Sequence, residues 1–231
     1  MEIFGTIHEG VRCLLFDIDN TLYERGSDYF HHGSSREVEE VALILGFGIT
    51  ETRDLFSQVK GEMQKNLQRK IALTEVVYSL GITPKQWSEI RCQAWDPFGW
   101  IFKDPQVCLV LQTLAQRYCI HFATNCPVEI GEKIIETIGL RQVLPCSCVF
   151  GPENLHSFKP RTDFFSKAAE ALGFSPNQIV SIGDRGFSDI FPAIDAGYAG
   201  GILLSHGRDD LLRLTEVLVE SAVTTVKGEL N

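Results

Sequence analysis

The apolar positions of the chain change period twice, and the changes divide it. Residues 11–16, Val-Arg-Cys-Leu-Leu-Phe, form a short apolar run bounded by Gly10. It is too short, and at its ends too β-branched or aromatic, for a helix, which predicts a buried strand. The polar stretch 24–30, holding Gly26 and Ser27, predicts an exposed turn. From 34 to 95 apolar residues recur at spacings of three and four. Ser34 or Ser35 is placed to cap a helix over 36–45 that Gly46 stops, and Thr50 to cap a second reaching about 68. A third over 73–80 ends at Gly81, and Pro84 opens a fourth to about 94. Several helices in a row without a strand predict a small helical module inserted in the chain.

Pro97 and Gly99 end that pattern, and strand then alternates with helix. A helix from Asp104-Pro105 to about 117 is followed by a strand at 118–123, a helix at 128–138, a strand at 146–150 and a helix at 161–172. Next come a strand at 179–182, a short helix near 188–195, a strand at 198–204 and a last helix over about 209–222. Alternation with short loops predicts the α/β class, with a parallel sheet covered on both faces.

At 231 residues and 44% hydrophobic the chain can bury a real core. The formal charge of −9 speaks against a nucleic acid polymer or an anionic membrane as partner, since both require clustered Lys and Arg. Seven cysteines, an odd number with no C-x-x-C pair, fit reduced thiols in a cytoplasmic protein. Cys146 and Cys148, two apart on the strand expected at 146–150, read as small core or rim residues. The amino terminus has neither a basic start nor an apolar core, and no run of about twenty apolar residues occurs, so neither a signal peptide nor a membrane span is expected.

The chemistry gathers at strand ends. Asp17 closes the first strand and Asp19 follows it, and like charges held so close raise one another's pKa unless a cation joins them, which points to a divalent ion. The strand at 118–123 runs into Thr124-Asn125, the loop after 146–150 delivers Lys159-Pro160, and the strand at 179–182 runs into Gly183-Asp184 with Asp189 beyond. Parallel strands bring their carboxyl ends to one edge, where open α/β sheets bind ligands. These groups suit phosphoryl transfer. Asp17 is placed to attack phosphorus and Asp19 to act as acid and then base, with Thr124 and Asn125 holding phosphate oxygens. Lys159 supplies a charge to Asp17 and the phosphate, and Asp184 and Asp189 are hard ligands for Mg²⁺.

Asp17-Ile18-Asp19-Asn20-Thr21, Thr124, Lys159-Pro160 and Gly183-Asp184-Arg185-Gly186-Phe187-Ser188-Asp189 resemble, in order and spacing from about residue 11 to 205, the four motifs of the haloacid dehalogenase superfamily. The resemblance implies a Rossmann-like core of 1–23 and 102–231 and a helical cap domain at 24–101. It also implies Mg²⁺ dependence, an Asp17 nucleophile, and metal held by Asp17, Asp184 and the main-chain carbonyl of Asp19, with Asp189 a ligand or a supporting carboxylate. The activity it implies is hydrolysis of a small phosphorylated metabolite, a nucleoside monophosphate or a sugar phosphate, through an aspartyl phosphate. Phe16 to Tyr23 is similar to the corresponding stretch of pyrimidine 5′-nucleotidase-type members, although related phosphatases share it. A phosphomutase or phosphotransferase of the same family keeps the second acid as well, and a binding protein that retains the fold without turnover is the alternative outside catalysis. Either a monomer or a homodimer fits. Plain readings suffice elsewhere. His31-His32 reads as a solvated pair in a polar loop, Trp95 and Trp100 as packing where the insertion returns, and Lys60, Lys65, Arg69 and Lys70 as a solvated helix face.

Overall fold

The computed structural model describes residues 1–24 and 26–220, so the end of the last expected helix, 221–222, lies outside the described residues. The chain makes two compact units, one of 1–24 with 97 onward and the other of 25–96.

The second unit holds helices α1 (Ser27–Leu45), α2 (Ile49–Leu67), α3 (Leu73–Ser79) and α4 (Pro84–Ala94). Their apolar stripes meet in a core that includes Val41, Phe56, Val76, Val77 and Trp87. Pro84 opens α4 as its spacing implies: the Thr83 hydroxyl accepts from the Gln86 amide at 3.3 Å while the Gln86 side chain accepts from the Thr83 amide at 3.0 Å. Helix α1 starts nine residues before the predicted 36, which corrects both the turn expected at 24–30 and the Ser34 or Ser35 cap. Packing overrides propensity here. A Cβ on Gly33 would lie 2.5 Å from the Trp95 ring, and the Tyr29 hydroxyl donates to the Trp95 carbonyl at 2.8 Å, so the weak helix formers of this turn are held by Trp95. His31 and His32 therefore lie exposed on a helix rather than in a loop.

The first unit is built on strands β1 (Glu2–Gly5), β2 (Cys13–Asp17), β3 (Cys119–Ala123), β4 (Val149–Phe150), β5 (Ile179–Gly183) and β6 (Gly200–Leu203), in the sheet order β1-β6-β5-β2-β3-β4. Strands β2 to β6 pair in parallel, and β1 pairs antiparallel with β6. Every residue of β2 is buried. Cys13 and Leu15 pack with Phe164, Phe165 and Ala193, which belong to α9 (Thr162–Leu172) and α10 (Phe191–Asp195). Leu14 and Phe16 point the other way and are equally buried, so both faces are covered, and each such side chain stabilises by roughly 1.5–3 kcal/mol. The remaining helices are α5 (Pro105–Leu114), α6 (Val128–Ile138), α7 (Leu140–Val143), α8 (Pro152–Leu155) and α11 (Arg208–Leu212).

The fold is thus a Rossmann-like sheet, mostly rather than wholly parallel. Strand β1 was not expected, because four residues with largely exposed side chains carry no periodic signal, and it forms on the small residues Gly200 and Gly201 of β6. The strand expected at 146–150 shortens to two residues, which leaves Cys146 and Cys148 exposed in the preceding turn instead of on a strand face. No helix among the described residues is long and apolar enough to cross a membrane.

Candidate active site

Strand β2 lies between β3 and β5, so its carboxyl end is flanked by theirs. Asp17 is its last residue. Beyond it the chain doubles back: Asn20 takes the left-handed conformation (φ 62°), and the Ile18 carbonyl accepts from the amides of Thr21 (3.3 Å) and Leu22 (3.0 Å). This turn returns each residue four positions on beneath the acid it follows. The Thr21 hydroxyl donates to Asp17 Oδ2 at 3.0 Å and the Tyr23 hydroxyl donates to Asp19 Oδ1 at 2.6 Å.

From β3, Thr124 is fully buried, its Oγ1 accepting from the Cys126 amide at 2.9 Å and lying 3.5 Å from Asp19 Oδ2. The Cys126 thiol reaches the same Asp19 oxygen at 3.3 Å. Asn125, expected on the phosphate, has both amide atoms on the Lys159 backbone: Nδ2 donates to the Lys159 carbonyl at 2.7 Å and Oδ1 accepts from the Lys159 amide at 2.8 Å. Its place in the geometry is to hold the lysine loop. Lys159 thereby enters the site, donating to Asp17 Oδ1 at 2.5 Å, to Asp189 Oδ1 at 2.8 Å and to the Ala123 carbonyl at 3.2 Å.

From β5, Gly183 leads to Asp184, and a wide helical turn over Gly186–Ile190 folds Asp189 back toward the strand. A Cβ on Gly183 would lie 2.6 Å from the Asp189 Cβ, so glycine is what allows this approach. Asp189 Oδ2 accepts from the Arg185 amide at 3.0 Å, and its main-chain carbonyl accepts from the Ser181 hydroxyl at 2.6 Å. Asp17, Asp184 and Asp189 each present an oxygen within 4.8 Å of the others. The Asp19 carboxylate is not one of this group; its oxygens face Tyr23 and Cys126.

The electrostatics follow from burial. The Asp17 carboxyl is pushed up, first by burial and then by Asp189, Asp184 and Asp19, against the pull of Lys159. Asp184 is raised as well, by burial and Asp189. Burial works against the Lys159 ammonium, but Asp17 and Asp189 overcome it and keep the charge. Two like charges 4 Å apart repel by about 4 kcal/mol at an effective dielectric of 20. One ammonium among these carboxylates leaves negative charge to be balanced, and three hard oxygen donors on one edge fit a divalent cation.

A polar cavity of about 440 Å³ adjoins Asp184, with Asn20, Glu24, His206 and Arg208 in its wall. Arg208 is anchored by Asp104 at 2.6 Å and Gln106 at 2.8 Å. Sequence reasoning missed the loop after β6, although it ends on the same edge as the loops carrying the motifs. It missed Tyr23 and Cys126 too. The i, i+4 relation of Tyr23 to Asp19 repeats that of Thr21 to Asp17 and was the available signal.

The family model for haloacid dehalogenase-like hydrolases matches residues 11–197. A HAD phosphatase from Thermococcus onnurineus is 17% identical over 90% of this chain and 98% of its own, with a TM-score of 0.55. A Bacillus subtilis protein assigned as a HAD-hydrolase and bound to magnesium is 17% identical over 90% and 98%, with a TM-score of 0.54. A 2-haloacid dehalogenase from Pseudomonas syringae pv. Tomato is 18% identical over 91% and 99%, with a TM-score of 0.55. At such identities the likeness is one of fold. No curated protein matches the chain significantly. The family model spans the strand that ends in Asp17 and every loop that carries the acids and the lysine, and the chain belongs to the haloacid dehalogenase-like hydrolases.

Proposed function

We propose that this hydrolase is a Mg²⁺-dependent phosphomonoesterase that acts on a small phosphorylated metabolite, a nucleoside monophosphate or a sugar phosphate, through an aspartyl phosphate on Asp17. The observation that carries this reading is the shared ammonium of Lys159, 2.5 Å from Asp17 and 2.8 Å from Asp189, within a buried excess of carboxylates at the sheet edge. Mg²⁺ held by Asp17 and Asp184, with Asp189 as ligand or support and the Asp19 main-chain carbonyl as the family resemblance implies, would neutralise charge between the acids and the incoming phosphate.

Asp17, fixed by Thr21 and Lys159, attacks phosphorus; the bond to the ester oxygen breaks and Asp19 gives that oxygen its proton. Asp19, now a carboxylate, takes a proton from the water that attacks the aspartyl phosphate, which releases inorganic phosphate and restores Asp17. Lys159 and the Thr124 hydroxyl stabilise charge on the phosphoryl oxygens. The need for a proton donor favours an ester over a carbon–halogen bond, because a halide leaves without one. The test is phosphate release from p-nitrophenyl phosphate and from a panel of nucleoside monophosphates and sugar phosphates, with Mg²⁺ and with a chelator. Activity that requires the ion and is lost in Asp17→Asn is expected. Absence of turnover on every phosphate ester with any divalent ion would sink the reading.

A further inference from the structure

We propose that Tyr23 and Cys126 are positioning residues for Asp19, gripping its carboxylate from two loops in the orientation the leaving group requires. This rests on the reading of Asp19 as the proton donor. The first grip is the Tyr23 hydroxyl, 2.6 Å from Oδ1, on a ring that is 7% exposed. A phenylalanine ring would fill the same space without the hydroxyl's contact with Asp19. The second is the Cys126 thiol, 3.3 Å from Oδ2, on a residue 1% exposed whose amide is fixed on Thr124 Oγ1 at 2.9 Å. Thr124 itself stands 3.5 Å from that oxygen, at the limit of a useful hydrogen bond.

Asp19 needs such help more than Asp17 does. Asp17 sits in a strand paired on both sides, while Asp19 sits in a turn beyond the strand, where the backbone alone does not select a side-chain rotamer. Catalytic groups displaced by about 1 Å can lose on the order of 100-fold in rate. The grip comes from two loops and on two oxygens: Tyr23 from the same turn, through the left-handed Asn20, and Cys126 from the loop after β3.

A leaving-group comparison separates positioning from packing. p-Nitrophenolate departs without needing a proton, whereas the alkoxide of glycerol phosphate needs one. In the Mg²⁺-loaded full chain, Asp19→Asn is expected to lower the ratio of kcat/KM for the alkyl over the aryl ester, within the roughly 10²–10⁴-fold worth of acid–base catalysis. Tyr23→Phe is expected to lower the same ratio by about 10-fold, a partial share of that range. Cys126→Ala should lower it less, and Cys126→Ser, which keeps a donor, should recover part of the loss. A crystal structure of Tyr23→Phe should show the Asp19 carboxylate turned from its position. A ratio unchanged in Tyr23→Phe, whether both activities hold or fall together, overturns the inference, as does an Asp19 that keeps its place. If the native chain turns over no phosphate ester with any divalent ion, the phosphomonoesterase reading falls and takes this inference with it.

Discussion

Replacing Lys159 by methionine removes the ammonium that Asp17 and Asp189 share while keeping most of the volume of its stem. The residue is 3% exposed, so water does not take over the lost charge. Deleting one partner of a buried ion pair costs about 3–5 kcal/mol, because the other is left uncompensated. Toward acid pH the variant can relieve the repulsion by protonating the carboxyls that have lost their partner. The expected loss is therefore about 4 kcal/mol, a fall in Tm of roughly 10 °C for a unit of this size. The sign with pH is fixed by the same route. Asp17 has a folded pKa above its unfolded value, so its contribution is present at acid pH and is lost as pH rises above the ordinary carboxylate range. The deficit of Lys159→Met should accordingly shrink at pH 5 and widen at pH 8, and millimolar Mg²⁺ should recover part of it by supplying the missing charge. Urea denaturation followed by circular dichroism at the two pH values, with and without the ion, reads all three. A deficit below about 1 kcal/mol at pH 8, or one equal at both values, would refute the electrostatic account.

Mg²⁺ should raise the Tm of the native chain, by about 2.7 kcal/mol of stabilisation at 100 times the dissociation constant, and more at pH 8 than at pH 5, since protons compete for the same oxygens. A calorimetric scan with no shift would count against the three acids as a metal site. Gly183→Ala should push Asp189 off Lys159, costing about 1–3 kcal/mol by overpacking and most of the phosphatase activity. Retained turnover would show that Asp189 need not stand there. Glu37→Ala, in the helical unit, removes the 2.9 Å pair with Arg91 and the 2.5 Å hydrogen bond that Trp95 Nε1 donates. A loss of about 3–5 kcal/mol is expected from thermal unfolding, since Glu37 is 3% exposed.

The parts of the fold legible in the sequence are those whose signal is local. Thr83-Pro84, Asp104-Pro105, Gly139 and Gly173 mark helix ends by their own backbone chemistry, and the structure uses all four as boundaries. The misreadings occur where a distant residue decides. Ser34 and Ser35 look like a helix start until Trp95 is packed against Gly33, and Glu2–Gly5 has no pattern until β6 offers an edge. The strand expected through Cys146 shrinks because Cys148 gives its amide to the His121 side chain rather than to a continuing ladder.

The site was legible for a different reason. Asp17, Thr124, Lys159, Asp184 and Asp189 stand at the ends of strands or on the loops that follow them, and a parallel sheet converts that position in sequence into proximity in space. What remained hidden is how the polar groups divide their hydrogen bonds. Asn125 is expected from the sequence on a phosphate, and its contacts with the Lys159 backbone, 34 residues away, have no local signal. The same holds for Asp19, whose neighbours Tyr23 and Cys126 lie outside the four motifs, although Tyr23 closes the stretch that begins at Phe16. Residue type and spacing bring acids together, but which proton each oxygen receives depends on turns such as the left-handed one at Asn20. The rate of an acid-assisted cleavage should therefore respond to residues that no motif contains.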